Sequence, residues 1–325
     1  MRLKLVRPDT KIDFFRWERF TFGLSLVAML ASVILFFVVG LNFGIDFRGG
    51  SMIMADTAEV VDVAEYRNIL GGLGIGDTSV TRISDPAAEI TGTANNSVMI
   101  RIEQVGDDAA IQNDAIVAVK DALSAAFSGI NFLSTESVGA KVSGELVQAG
   151  ILAIVLAVAA VLFYIWLRFE WQFSLGAVAA LVHDVILTIG VFSLVGLEFN
   201  LSIIAAILTI VGYSLNDTVV VFDRVRENLR RFKSTELVGV LNASINETLS
   251  RTVMTSVTTL LALIALFVFG GDVIRGFVFA MIWGVIVGTY SSIFVAAPVL
   301  LRLGVKRDWD KKDGPSGTQF ANIDA

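Results

Sequence analysis

The sequence of 325 residues contains no cysteine, one histidine and four prolines. The absence of cysteine excludes disulfides, thiolate metal sites and cysteine nucleophiles. A single histidine, His183, is too few for a His-rich metal centre, and it leaves no spare base beside a Ser–His–Asp set. So few prolines also exclude a proline-rich disordered chain or a collagen-like one. We therefore expect no metal centre and no cofactor.

Charged residues are scarce as well. Asp, Glu, Lys and Arg make up 17% of the chain, against about 25% in soluble domains. Hydrophobic residues make up 55% of it, and the mean hydropathy is +0.73. This balance excludes a soluble enzyme and predicts a protein that lies in the lipid membrane.

Six largely uncharged stretches are long enough to cross a bilayer, which requires about 20 residues. The first has a longer apolar run than a signal-peptide core and no small-residue cleavage site before Asn42, so we interpret it as an uncleaved anchor. The predicted transmembrane helices are 20–41, 146–167, 173–195, 200–222, 252–270 and 276–301.

The distribution of Lys and Arg predicts the orientation, because these residues accumulate on the cytoplasmic side. Residues 1–19 and 224–251 carry six each and the tail from Arg302 carries five, whereas residues 46–145 carry six against 15 acids. We therefore expect segments 1–19, 223–251 and 302–325 in the cytoplasm and the acidic segment 42–145 outside. The acidic pI of 4.9 argues against a nucleic-acid partner.

The outer segment alternates between strand-like and helix-like patterns. The order β-α-β-β-α-β is that of a ferredoxin-like α+β domain. It contains no nucleotide loop, metal spacing or nucleophile–base pair, so we assign it to contact or packing. The predicted elements are Ser51–Ala55, Val60–Leu70, Thr78–Ile83, Val98–Gln104, Ala109–Phe127 and Asn131–Glu136, with a loop over Asp85–Asn96 and an apolar stripe of Ile111, Ile116, Val119, Leu123 and Phe127.

Ionisable residues inside the spans are the candidate functional residues, because each is costly to insert and most have a function. Asp217 lies in the fourth span and Arg251 opens the fifth, which suits a proton relay between an acid and a base. A fixed ion pair that only locks the helices together would look the same in sequence.

Other polar residues accompany the relay candidates. Tyr213 and Asn216 share a helix face with Asp217, where they could hydrogen-bond the carboxylate or a water chain beside it. Arg251 begins a stripe that continues through Thr255, Thr258 and Thr259. His183 and Asp184, in the third span, are either part of a relay or a hydrogen bond between packed helices.

Four segments form a pattern that extends over most of the chain. They are Leu41-Asn-Phe-Gly-Ile-Asp-Phe-Arg-Gly-Gly50, Val138-Gly-Ala-Lys-Val-Ser-Gly-Glu-Leu146, Gly212-Tyr-Ser-Leu-Asn-Asp-Thr-Val-Val-Val-Phe-Asp-Arg-Val-Arg-Glu-Asn228 and Ser244-Ile-Asn-Glu-Thr-Leu-Ser-Arg-Thr252. Together they resemble the SecD/SecF family of bacterial protein-export membrane proteins, and the resemblance runs from Phe14 to Leu303. Arg48 and Ala140 depart from the family pattern, which usually has Thr and Pro at these positions.

The resemblance implies a six-helix membrane protein that is half of a resistance-nodulation-division-type bundle, with SecD supplying the other half. It implies proton-driven assistance to polypeptides that leave the SecYEG channel, and it assigns the membrane relay to Asp217 and Arg251. Two alternatives stay open, a self-sufficient small-molecule exporter and a structural subunit that transduces no energy.

The orientation can be tested with single cysteines, since the chain has none of its own. A membrane-impermeant thiol reagent added outside intact cells should label Ser97→Cys in the outer segment. Ser234→Cys, in the segment expected in the cytoplasm, should stay unlabelled until the membrane is opened. The opposite labelling pattern would reverse the orientation.

Overall fold

The structure is a computed structural model that describes residues 10–57, 62–83, 96–104, 109–271 and 273–305. Six of its helical stretches are long and apolar enough to cross a membrane, which confirms the six predicted spans. Their bounds are Phe14–Val38, Lys141–Arg168, Trp171–Val195, Leu201–Arg231, Leu237–Phe269 and Arg275–Leu303.

The helices fall into long membrane-spanning ones and short ones of the outer segment. A 3₁₀ turn at Phe14–Trp17 leads into the first helix, and a π-helical turn at Ser292–Ala296 interrupts the last span. In chain order the helices are α1 (Glu18–Val38), α2 (Ile45–Arg48), α3 (Val63–Gly71), α4 (Ala109–Ala126), α5 (Ala140–Arg168), α6 (Trp171–Val195), α7 (Leu201–Arg231), α8 (Leu237–Phe269), α9 (Arg275–Ser291) and α10 (Ala297–Leu303).

Three of the spans form the centre of the bundle. The most apolar windows of α6 and α7 are each 44% buried inside the chain, and that of the α9–α10 span is 61% buried. The corresponding windows of α1, α5 and α8 are only 6–11% buried. Because the central helices are surrounded by protein, they can carry polar side chains that lipid would not tolerate.

The predicted cytoplasmic segment 223–251 is helical for most of its length. Helix α7 continues to Arg231 and α8 starts at Leu237, so only five residues connect them. One face of this segment is an apolar stripe whose side chains are buried in the bundle, and the charged residues lie away from it. The buried residues of the stripe are Val225, Leu229, Val240, Leu241 and Ile245. The charge count alone could not separate an amphipathic helix from a loop.

The outer segment forms the ferredoxin-like domain. Its strands are β2 (Gly50–Asp56), β3 (Thr78–Arg82), β4 (Val98–Ile102) and β5 (Asn131–Val138). They form one antiparallel sheet in the order β3-β4-β2-β5, with α3 and α4 as the two crossover helices. Two short strands, β1 (Asn42–Phe43) and β6 (Glu198–Phe199), pair in parallel beside it.

One face of the sheet packs against α3 and α4. Ile53 and Ile100 are directly opposed and fully buried, beside Val80, and the helices add Tyr66, Leu70, Ile116, Val119, Leu123 and Phe127. The predicted apolar stripe is wrong at Ile111, which is 46% exposed. Gln112 occupies the first buried position instead, because its amide donates to Ser51 Oγ at 2.8 Å.

Some predicted features lie outside the described residues. These are residues 85–95 of the loop Asp85–Asn96, the first two residues of the helix Val60–Leu70, and the terminal residues 1–9 and 306–325.

The turn into β2 requires two glycines. Gly49 and Gly50 have φ angles of 75° and 115°, in the region that residues with a Cβ rarely adopt. A Cβ on Gly50 would also collide with the carbonyl oxygen of Ile102 in the neighbouring strand. The two glycines therefore allow the chain to leave α2 and enter the sheet directly.

The outer domain should fold without the spans, because its core contains only its own residues. Residues 49–139 expressed alone should give a mixed α/β circular dichroism spectrum and a cooperative melt. Ile100→Ala removes a fully buried side chain, at a cost of about 2–5 kcal/mol, so it should lower the Tm by at least about 10 °C. A random-coil spectrum of the parent domain would show that it needs the membrane helices.

Candidate functional site

Helix α7 carries the central polar residues, and its outer end is capped from two directions. The Asn200 side chain caps the helix by accepting from the Ile203 N–H at 3.3 Å. Asp46, in the short helix α2, accepts from the Leu201 N–H at 2.9 Å across 155 residues of chain. A carboxylate at a helix N-terminus satisfies an otherwise unpaired N–H and interacts favourably with the helix dipole.

The same end of α7 is joined to the sheet of the outer domain. Arg101 of β4 forms a 2.6 Å ion pair with Glu198 of β6, and its guanidinium also donates to the Phe43 carbonyl at 3.2 Å. The β1–β6 pairing and the packing of Phe43 on Phe199 complete this connection. We call Asp46, Arg101, Glu198 and Asn200 the outer anchor of α7.

Asp217 lies about 24 Å along α7 from its first residue, at 1.5 Å per residue. Its side chain is buried, with 4% of the residue exposed, and its Oδ2 atom has no hydrogen-bond partner among the described residues. A buried carboxylate oxygen without a donor is unusual in proteins and calls for an explanation.

Arg251 of α8 is the basic residue that the sequence suggests as the partner of Asp217. The two side chains are not in contact, since no nitrogen of Arg251 lies within 4.0 Å of a carboxylate oxygen of Asp217. Arg251 is exposed on the surface of the chain, whereas Asp217 is buried. Asp217 and Arg251 therefore form no direct ion pair in this structure.

The expected hydrogen bonds from Tyr213 and Asn216 to Asp217 are absent among the described residues. Tyr213 instead donates to Ser256 of α8 at 3.5 Å, and Ser256 is 2.7 Å from Thr289 of α9. Asn216 is exposed although Asp217 next to it is buried. The side chains of adjacent residues in an α-helix point about 100° apart, so the two face different surroundings.

The predicted threonine stripe on α8 does not reach Asp217 either. The Thr255 and Thr258 hydroxyls donate to carbonyl groups of their own helix. Thr259 is half-buried on the same helix.

His183 and Asp184 are completely buried at the centre of the bundle. The Asp184 carboxylate accepts on Oδ2 from Ser214 of α7 at 2.5 Å and from Ser291 of α9 at 2.8 Å. Its Oδ1 atom is 2.9 Å from His183 Nδ1, so this ring nitrogen carries the proton when Asp184 is ionised. This carboxylate thus has three donors, one from each central span.

The His183 ring connects the cluster to α1. It stacks on Tyr290, whose hydroxyl donates to the Thr21 carbonyl at 3.0 Å. The π-helical turn begins directly after Ser291, and such turns often occur at functional sites. We call His183, Asp184, Ser214 and Ser291 the central cluster.

Sequence reasoning missed Ser214 and Ser291. A serine in a span usually bonds to its own helix, so neither residue stood out from the other hydroxyls. The available signal was position, since Ser214 lies inside the motif that also contains Asp217.

The described residues contain no group of three or more His, Asp or Glu side chains that could hold a metal ion. The ionisable groups of the candidate site are Asp184, His183, Asp217 and Arg251.

The fold and the buried acids define a multi-pass membrane protein whose polar centre is connected to an α+β domain beside the helix bundle. Residues 118–306 match the model of the C-terminal part of the protein-export membrane proteins SecD and SecF, and residues 34–53 match the model of the SecD/SecF GG motif. The latter range includes the Gly49–Gly50 turn.

Comparison with individual proteins gives the same result. The chain is 53% identical over 324 residues to the protein translocase subunit SecF of Cereibacter sphaeroides, covering 100% of this chain and 99% of that one. It is 45% identical to the translocase subunit SecDF of Brucella abortus, covering 96% of this chain and 40% of that one. The crystal structure of SecDF from Thermus thermophilus superposes with a TM-score of 0.82 at 32% identity, covering 93% of this chain and 40% of that one.

The chain belongs to the SecD/SecF family of protein-export membrane proteins. It spans nearly the full length of a SecF subunit and 40% of the longer SecDF chains. It is therefore a subunit of a protein translocase, which excludes the alternative of a self-sufficient small-molecule exporter.

The central cluster should contribute to stability through its interhelical hydrogen bonds. Ser214→Ala and Ser291→Ala each remove one donor to a buried carboxylate, so each should lower the free energy of unfolding in mixed micelles by about 1–2 kcal/mol. Thr209→Ala is the control, because the Thr209 hydroxyl is exposed and donates only to the Ala205 carbonyl of its own helix. Equal losses in all three variants would contradict the role of the interhelical bonds.

Proposed function

We propose that this chain pairs with SecD in the bacterial inner membrane and uses the proton gradient to assist late translocation and release of polypeptides. Its termini face the cytoplasm and its ferredoxin-like domain faces outward, near polypeptides that leave SecYEG. Asp217 takes up and releases the proton, Arg251 favours its ionised form, and Tyr213 and Asn216 lie on the proton path.

The observation that carries the proposal is the unpaired oxygen of Asp217. Asp184 is completely buried, and its carboxylate accepts hydrogen bonds from three donors. Asp217 is also buried but lacks a donor on Oδ2, so its charged form is poorly stabilised within this chain. A carboxylate in this condition can change its charge when its access to water or to Arg251 changes.

The exposed surface of α7 supports a partner helix beside Asp217. At membrane depth α7 exposes small or polar residues at helical spacing, namely Ala205, Thr209, Gly212 and Asn216. The exposed face of α1 is strongly apolar in contrast, with Leu24, Leu30, Ile34 and Phe37. Small and polar residues suit contact between helices better than contact with lipid, which favours SecD on the α7 side. The SecDF relatives, in which this chain matches 40% of a longer chain, support the same pairing.

One proton supplies a large part, but not all, of the energy that a complete conformational switch requires. An elementary charge that crosses the full field gains about 2.3 kcal/mol per 100 mV, so roughly 3.5 kcal/mol at about 150 mV. At 1.36 kcal/mol per tenfold change, this shifts a two-state equilibrium roughly 300-fold. A shift from 1:99 to 99:1 needs about 5.5 kcal/mol, which two protons would exceed.

A path for the mechanical step runs along α7. Its outer end is held by the outer anchor, so a movement of α7 on protonation of Asp217 is transmitted to the outer domain. A structural subunit without energy transduction is the remaining alternative, and it would need no titratable group at Asp217.

The proposal predicts that Asp217→Asn assembles with SecD but loses the gradient-dependent part of protein export. Asn keeps the size of Asp but cannot titrate, so folding should be preserved. Arg251→Met should behave alike, because it removes the charge that favours the ionised acid. Export into membrane vesicles should be measured with and without an imposed proton gradient.

The matched control is Asp121→Asn, the same chemical change at an exposed position of the outer domain. It should keep the full response to the gradient. If Asp217→Asn vesicles respond to the gradient as strongly as unmodified ones, the relay is disproved and Asp217 is structural.

A further inference from the structure

A basic cavity lies at the opposite end of α7 from the outer anchor. It has a volume of about 480 Å³ and lies where the turn between α5 and α6 meets the last part of α7. Its lining is Arg168, Asp223, Arg226, Glu227, Arg230 and Arg231. We call it the arginine cavity.

The charges of the arginine cavity are unbalanced. Four arginines face two carboxylates, which leaves a net charge of +2. Both carboxylates already form ion pairs. Asp223 pairs with Arg168 at 3.2 Å, and Glu227 pairs at 2.9 Å with Arg224, which does not line the cavity. The cavity is therefore suited to an anion.

The arginines at the back of the cavity are held in place. The guanidinium groups of Arg168 and Arg226 lie 5.2 and 5.4 Å from the centre of the buried Phe169 ring. Arg226 also donates to the Arg168 carbonyl at 3.4 Å, while its buried Nε–H has no partner among the described residues. Because these contacts restrict the two side chains, less conformational entropy is lost when they bind an anion.

The surroundings of the cavity identify the kind of anion. Only Phe169 and Glu170 separate α5 from α6, so the cavity lies where two spans reach the membrane surface. The side chains on either side are strongly exposed and suited to the lipid interface, namely Tyr164, Trp166, Leu167 and Trp171. An anion with acyl chains could place its charge in the cavity and its chains along these residues.

We propose that the arginine cavity binds the phosphate headgroup of an anionic phospholipid. Basic cavities between membrane helices on the cytoplasmic side are suited to such headgroups. The inference rests on the proposed orientation, but on no part of the proton mechanism. It adds a lipid ligand at the inner end of the same helix that holds Asp217.

The test is lipid titration of the purified full-length chain, followed by native mass spectrometry. The probes are dioleoyl phosphatidylglycerol and dioleoyl phosphatidylcholine, which share their acyl chains and differ in headgroup charge. Phosphatidylglycerol should bind at least about tenfold more tightly. Each arginine near the surface contributes about 1 kcal/mol, so Arg230→Gln/Arg231→Gln should weaken phosphatidylglycerol binding about 30-fold and Arg226→Gln alone about fivefold.

Arg16→Gln/Arg19→Gln is the matched control, because it removes two exposed arginines from the same expected side of the membrane. It should leave phosphatidylglycerol binding unchanged within about twofold. An equal loss in the control would mean a diffuse basic surface, and equal binding of the two lipids would mean no headgroup site. Displacement of phosphatidylglycerol by excess inorganic phosphate would assign the cavity to a soluble anion. Each of these three results overturns the proposal.

Discussion

A carboxylate inside a bilayer has no water to hydrogen-bond, so its donors must come from neighbouring helices. The central cluster meets this requirement for Asp184, which receives one donor each from the neighbouring helices α7 and α9 and a third from His183 on its own helix α6. The bonds form only when these three helices have the correct depth and rotation. The burial of Asp184 thereby fixes the arrangement of the central spans, and the peripheral helices pack around that arrangement.

The fixed centre also explains how Asp217 can remain unpaired. Ser214, which donates to Asp184, precedes Asp217 by one helical turn, so the bond that holds α7 also holds Asp217 in place. The two acids differ in their donors rather than in their burial. Asp184 connects three helices through its hydrogen bonds, and Asp217 keeps an oxygen that has no donor among the described residues.

Much of the fold follows from local patterns in the sequence. Largely uncharged runs of sufficient length predicted six spans, and the alternation between Ser51 and Glu136 predicted the β-α-β-β-α-β order. The errors arose where two helix faces differed little in polarity. Ile111 and Gln112 illustrate this, since the buried position is taken by the residue that can donate to Ser51.

The candidate site was less accessible from the sequence. Asp217, His183 and Asp184 stood out because ionisable residues are rare in spans, but their partners depend on helix packing. Nothing local indicates that Ser214 and Ser291 donate across helices while Thr209 and Thr258 donate within their own. The bond between Asp46 and Leu201 joins residues 155 positions apart, so only the assembled fold could reveal it.

The length of α7 has a mechanical consequence. Its 31 residues form a rod of about 46 Å, with Asp217 near the midpoint and the outer anchor at one end. If the rod pivots at the level of Asp217, a tilt of about 10° displaces its outer end by about 4 Å, and the inner end moves oppositely by a similar amount. Helix α7 would then work as a lever with nearly equal arms, and the displacement of its end is comparable to the rise of one residue of an extended polypeptide.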